Sequence, residues 1–286
     1  MSLGVAFKGP EGIVLAADSR VTLTAQVLQP GQPPVMVPST YDNATKLLRI
    51  RGQDYVGAVT YGIGAIGLTE PRTAHSYIPE LEQQLADESR LSVEAFAGRL
   101  SSFFLDKWQA ANMPQTPGQD MVFLVGGYDA NAPYGRMFEV FIPSKPDPVE
   151  WHRAPGEFGL VWGGQKEYAD RLITGFDGNL PTLAKEYFRL DDKKTEELRK
   201  HLQSRLQAPI PFQFLPLQDC VDLAIFLVRS TIVMQHWIIG VRGVGGAIDV
   251  AVITQTNGFR HIQEKTIRGE AGYGVEPSSL EKSKLE

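Results

Sequence analysis

The chain opens on two apolar runs joined by a turn: Leu3-Gly-Val-Ala-Phe-Lys8, Gly9-Pro-Glu-Gly12, then Ile13-Val-Leu-Ala-Ala-Asp-Ser19. Glycine and proline supply the turn, so the pair reads as a β-hairpin. The first twenty residues are thereby placed in a sheet, and the chain beyond them has to pair with it or cover it. A second hairpin comes next, from Lys46-Leu-Leu-Arg-Ile50 through a turn at 51–54 to Tyr55–Tyr61. The glycine-rich corner Gly62-Ile-Gly-Ala-Ile-Gly67 is expected to open two helical stretches. The first carries Tyr77, Ile78, Leu81 and Leu85; the second, about 92–112, carries Val93, Phe96, Leu100, Phe104 and Trp108 at helix spacing.

Strands are expected at Met121–Val125 and Arg136–Ile142, and another at Phe158–Trp162 that ends in Gly163-Gly164 before a helix near 166–176. Residues 178–216 read as a charged, helix-prone insertion. A long apolar helix from 217 to about 237 then returns to the last strand pair, 246–254 and 259–262. Residues 27–40 carry four prolines and read as an ordered loop. The polar tail, 268–286, reads as mobile or as an arm onto a neighbour. Strands, two helices, strands, two helices, strands is an α+β order, with sheets covered by helix pairs and no alternating βαβ units. The 286 residues are therefore read as one domain, 1–267, with insertions at about 23–45 and 178–216.

Charge and cysteine content narrow the chemistry. Lys and Arg total 28 against 33 Asp and Glu, with no basic run, which argues against nucleic acid as a partner. Cys220 is the one cysteine; it excludes a disulfide framework and a multi-cysteine metal site, and its apolar setting reads as a buried structural thiol. The five histidines form no helical pair suited to a metal. Neither a signal peptide nor a membrane span is expected, since the best candidate, Trp237 to Ile253, is broken by Arg242 and Asp249. The expectation is a soluble cytoplasmic protein that needs no cofactor.

Two places offer a site. Gly62, Gly64 and Gly67 match a dinucleotide-binding GxGxxG, but two strands precede it and Pro79-Glu-Leu-Glu-Gln-Gln-Leu85 occupies the place of the acidic residue that motif needs. A strand-to-helix glycine corner still exposes backbone N–H groups suited to an anion, or else serves close packing. The second place is the N-terminus. Removal of Met1 would leave Ser2 with a hydroxyl and a free α-amine; such an amine titrates near pH 7.7 to 8.0 and can act as base for its own hydroxyl.

The stretch Leu3 to Thr22, with its Ala17-Asp-Ser-Arg-Val-Thr22 ending, resembles the opening of a proteasome β-type subunit of the N-terminal-nucleophile hydrolases. Thr45-Lys-Leu-Leu-Arg-Ile50 and the strand into Gly62 and Gly64 fit the same family in order. The lack of a helix before the first strand suits a β-type subunit. The resemblance implies a four-layer αββα sandwich of two antiparallel sheets flanked by helix pairs. It implies a threonine- or serine-type peptidase inside a self-associated ring, acting on peptides or unfolded protein; the activating ATPase is left unspecified. Carried over by position, the nucleophile is Ser2, the acid Asp18, the lysine Lys46 and the oxyanion amide Gly62. Val21, Ala44, Thr60 and Gly64 would wall the first substrate pocket. Asp18 and Lys46 also fit an ordinary buried ion pair. The family's second aspartate and its serines find no counterpart in Val241-Arg-Gly-Val-Gly-Gly246 or in Gly163 to Gln165. Their absence leaves open a non-catalytic subunit with an assembly role.

Overall fold

The computed structural model describes residues 2–27, 35–68, 70–154 and 156–267. The N-terminal hairpin is present as β1 (Leu3–Lys8) and β2 (Ile13–Asp18), every residue of both being buried. After it come β3 (Val21–Val27) and β4 (Val35–Tyr41), β5 (Leu47–Leu48) and β6 (Val56–Gly62), then β7 (Ala65–Ile66) and β8 (Arg72–Thr73). Helices α1 (Ile78–Gln84) and α2 (Val93–Ala110) precede β9 (Met121–Gly127), β10 (Arg136–Ile142), β11 (Lys145–Trp151) and β12 (Gly159–Gly164). Helices α3 (Glu167–Ile173), α4 (Leu180–Phe188), α5 (Asp192–Leu206) and α6 (Leu217–Trp237) lead to β13 (Ile248–Thr254) and β14 (Gly258–Gln263).

Ten of these strands make two antiparallel sheets, in the orders β12-β1-β2-β13-β14 and β11-β10-β9-β6-β5. Side-chain alternation then builds three apolar layers. Leu3, Val5, Phe7, Val14 and Ala16 face α3 and α6, meeting Ala224, Leu227 and Val228. Ala6, Ile13, Leu15 and Ala17 face the other way, toward Val59, Val122 and Leu124 of the second sheet. That sheet's outer face packs Phe123, Val125 and Phe138 on Phe96, Leu100, Phe104 and Trp108 of α2. Three apolar layers between four layers of structure give the expected αββα sandwich.

Three local expectations are corrected. The proline-rich loop is bounded by a ribbon, β3 paired with β4 from Val21↔Tyr41 to Val27↔Val35; residues 28–34 lie outside the described residues. A strand not expected from the sequence, β11, holds Lys145-Pro-Asp-Pro-Val-Glu-Trp151. It is the edge of its sheet, where proline's missing N–H removes no ladder bond. The glycine corner does not open a helix: Gly67 turns into the β7–β8 ribbon, and a 3₁₀ turn at Ala74–Tyr77 precedes α1. The expected tail, 268–286, lies outside the described residues. Among the described residues no helix is long and apolar enough to cross a membrane.

Candidate functional site

Antiparallel pairing brings the start of β1, the end of β2 and the start of β13 to one end of the first sheet, through Gly4↔Ala17 and Asp18↔Ile248. Ser2, just before β1, is almost fully buried there. Its carbonyl accepts the Gln165 N–H at 2.9 Å beyond β12, and a Cβ on Gly164 (φ +97°) would collide with that carbonyl. This pairing fixes the height of Ser2 in the sheet.

Asp18 is fully buried, and each of its oxygens is doubly bonded. Oδ1 accepts the Lys46 ammonium at 2.6 Å and the Leu3 N–H at 3.0 Å; Oδ2 accepts the N–H groups of Arg20 and Gly245, both at 3.0 Å. Four donors, one of them charged, hold the carboxylate between β1, β2, the 241–246 loop and Lys46. Burial is the main influence on Lys46 and lowers its pKa from the ordinary lysine value; the Asp18 charge and hydrogen bond pull it back up. Arg20 does not enter this cluster with its side chain. Its guanidinium clamps Asp42 at 2.5 and 2.7 Å and reaches the Arg242 carbonyl at 3.3 Å, bracing loops around the site.

Gly62 ends β6 with φ +84°, and a Cβ there would strike the Asp120 carbonyl, so glycine is required by both backbone and space. The Ile63 N–H bonds the Asp120 carbonyl at 2.9 Å on the β9 side. By alternation the Gly62 N–H points to the opposite edge, the one where the Thr60 N–H bonds the Lys46 carbonyl at 3.0 Å. A donor is therefore left on the Lys46 side.

Ser2, Val21, Ala44, Lys46, Thr60 and Gly64 all line one cleft of about 20 Å³, room for about one water in the isolated chain. Gly64 sits against Val21, where a Cβ would come within 2.5 Å of its Cγ2, and the Thr60 hydroxyl is bonded to the Val122 carbonyl at 3.0 Å. Larger hollows, of 380 and 660 Å³, are lined by neither Ser2 nor Lys46.

Sequence reasoning misses two glutamines, one of which holds the Ser2 carbonyl through its backbone N–H. They are Gln165 and Gln235, whose amides bond each other; the Gln235 carbonyl oxygen accepts the Val244 N–H at 2.8 Å. Gln235 is buried on α6, seventy residues from its partner, so no local pattern marks it. Among the described residues no three His, Cys, Asp or Glu side chains come together as metal ligands.

No protein-family model matches the chain, and no curated protein matches it. Solved structures do. The chain is similar to the helical assembly of the Anbu complex from Pseudomonas aeruginosa, at 16% identity and a TM-score of 0.53 over 92% of this chain and 88% of that one. It is also similar to an Anbu (Gly-1) mutant from Hyphomicrobium sp. strain MC1, at 14% identity and a TM-score of 0.52 over 93% and 86%. The likeness is one of fold, an N-terminal-nucleophile-hydrolase-like α+β sandwich. It corrects the assignment to proteasome β-type subunits: both of these similar structures are Anbu, whose fold is related to the proteasome type.

Proposed function

From this fold and end-of-sheet cluster we propose that the chain is a serine-type N-terminal-nucleophile hydrolase that cuts peptide bonds. The observation that carries the reading is the position of Ser2, buried at the start of β1 beside the Asp18–Lys46 pair and lining the same cleft as Lys46. After removal of Met1, the Ser2 α-amine takes the proton of its own Oγ as Oγ bonds the scissile carbonyl carbon. The nearby Lys46 ammonium disfavours a second positive charge and so favours the neutral, basic amine. The Gly62 N–H donates to the oxyanion, an interaction worth about 3 kcal/mol in comparable sites. Collapse of the tetrahedral adduct expels the leaving amine, which takes the proton from the α-amine. Water then attacks the acyl-Ser2 ester, giving its proton to the same amine, and Ser2 is regenerated.

Small uncharged walls at Val21, Ala44, Thr60 and Gly64 favour small apolar side chains in the cleft. Self-association accords with the helical assembly of the similar Anbu complex, and with the apolar side chains of Tyr187, Phe188, Phe214 and Trp237 exposed on this chain. The test is intact mass together with a fluorogenic peptide panel on wild type and Ser2→Ala. Loss of one methionine and a fall of at least about 100-fold in kcat/KM on substitution are expected. Equal rates in the two proteins would refute the mechanism, and no turnover in either would favour an assembly subunit.

A further inference from the structure

Asp249 is a charged residue inside β13, between Ile248 and Val250, in a strand otherwise apolar to Ile253. Its parity is that of Ala251 and Ile253, so it faces the second sheet and the layer that holds Leu47, the residue after Lys46. Across the ladder it pairs with Ala17, next to Asp18. Asp249 is almost fully buried, and the Lys265 side chain, 10% exposed, pairs its ammonium with Oδ2. The Lys265 backbone N–H also donates to Oδ1 at 2.9 Å, and the fully buried Ser19 hydroxyl reaches Oδ2 at 3.4 Å. Ser19 is a crossing point: its N–H bonds the Gly245 carbonyl at 3.0 Å and its carbonyl holds the Ala44 N–H at 2.9 Å.

We propose that Asp249 and Lys265 form a second buried ion pair whose task is to position the Asp18–Ser19–Arg20 turn and to keep the charge around Lys46 balanced, making both positioning residues for the reaction at Ser2. The catalytic part of this inference rests on the reading of Ser2 as nucleophile; the electrostatic part does not. Groups acting on Lys46 are Asp18 from β2, Asp249 from β13 and Lys265 from the segment after β14, and Lys46 in turn acts on Asp42. Lys265 also acts on the exposed His75 in the 3₁₀ turn, whose pKa is lowered, chiefly by desolvation. Asp249 and Lys265 act on Lys46 in opposite directions. Removing either one leaves the other uncompensated.

The sign of the effect is the test. Lysine is labelled with ¹³C at Cε, and the Lys46 resonance is followed with pH in wild type, Lys265→Met, Asp249→Asn and the double variant. Lys265→Met should move the Lys46 midpoint up, Asp249→Asn should move it down, and the double variant should return it toward wild type. The kcat/KM profile on a peptide amide should shift its alkaline limb in the same directions. Asp249→Asn should lower kcat about tenfold with little change in KM, and Lys265→Arg should restore the wild-type profile. Should Asp249→Asn fail to fold, Lys265→Met decides alone. A Lys46 midpoint that stays put, or moves the same way in both single variants, overturns the proposal. The labelling readout stands even if wild type shows no Ser2-dependent turnover, so the two readings fail separately.

Discussion

Asp18→Asn is the sharpest test of the cluster, since an amide is nearly the same size as the carboxylate and changes only charge and donors. The carboxylate takes two donors on each oxygen, Leu3 N–H and Lys46 on one, Arg20 N–H and Gly245 N–H on the other. An asparagine keeps one oxygen and points its NH₂ at the other two donors, so either orientation strands a pair of them. Two buried donors without acceptors cost about 1–3 kcal/mol each, roughly 2–6 in all. Breaking a buried ion pair from one side costs about 3–5 kcal/mol. The two routes overlap near ~4 kcal/mol, which is the expected loss. Lys46→Met should cost less, about 3 kcal/mol, at the low end of a one-sided break, because Asp18 keeps three amide donors. Urea unfolding at pH 7 and one fixed protein concentration, with midpoints compared at a common slope, gives both numbers. A loss below about 1 kcal/mol for Asp18→Asn, or a larger loss for Lys46→Met than for Asp18→Asn, would refute the four-donor account.

Two further outcomes are expected. Burial holds the Lys46 pKa below the ordinary lysine value, and the charged ammonium is the active form in the proposed reaction, so kcat/KM should fall on the alkaline side at a pH below that value. An alkaline limb at or above the ordinary lysine range counts against the assignment. Gly164→Ala should cost more stability than Gly156→Ala: both have positive φ, but a Cβ at Gly164 meets the Ser2 carbonyl while one at Gly156 meets no atom within 4 Å. Paired thermal melts decide it, and equal losses would show that the backbone angle alone is responsible.

The sheets are legible in the sequence where strands are buried and apolar. The runs of β1, β2, β6, β9 and β10 carry few polar residues because both faces are covered, and their lengths are too short for helices. Proline hides the rest. Pro38 in β4 and Pro146 and Pro148 in β11 lie on strands with a single partner, where the signal that ordinarily breaks a strand carries little cost. At the glycine corner, the spacing of Gly62, Gly64 and Gly67 suggests a helix start, whereas each answers a different demand: Gly62 a positive φ against Asp120, Gly64 contact with Val21, and Gly67 a positive φ against the Glu70 carbonyl. Lys265 and Asp249 are invisible as a pair because no periodicity links a strand interior to the segment beyond the next strand.

The cluster is a product of the strand order rather than of any one motif. In an antiparallel sheet ordered β12-β1-β2-β13, the start of β1, the ends of β12 and β2 and the start of β13 must share one rim. Ser2, Gly164, Asp18 and Asp249 occupy those four positions, and β6 of the second sheet delivers Gly62 after Lys46 has entered just before β5. A one-residue slip of β13 against β2 would exchange the faces of Ile248 and Asp249, turning the carboxylate into the apolar layer under α6 and an isoleucine toward the second sheet. The desolvation cost of that exchange sets the register. Asp249 therefore reports on strand alignment as well as on charge, and the two contributions separate experimentally: Asp249→Asn, which retains a polar group that resists the slip, changes the charge and spares the register.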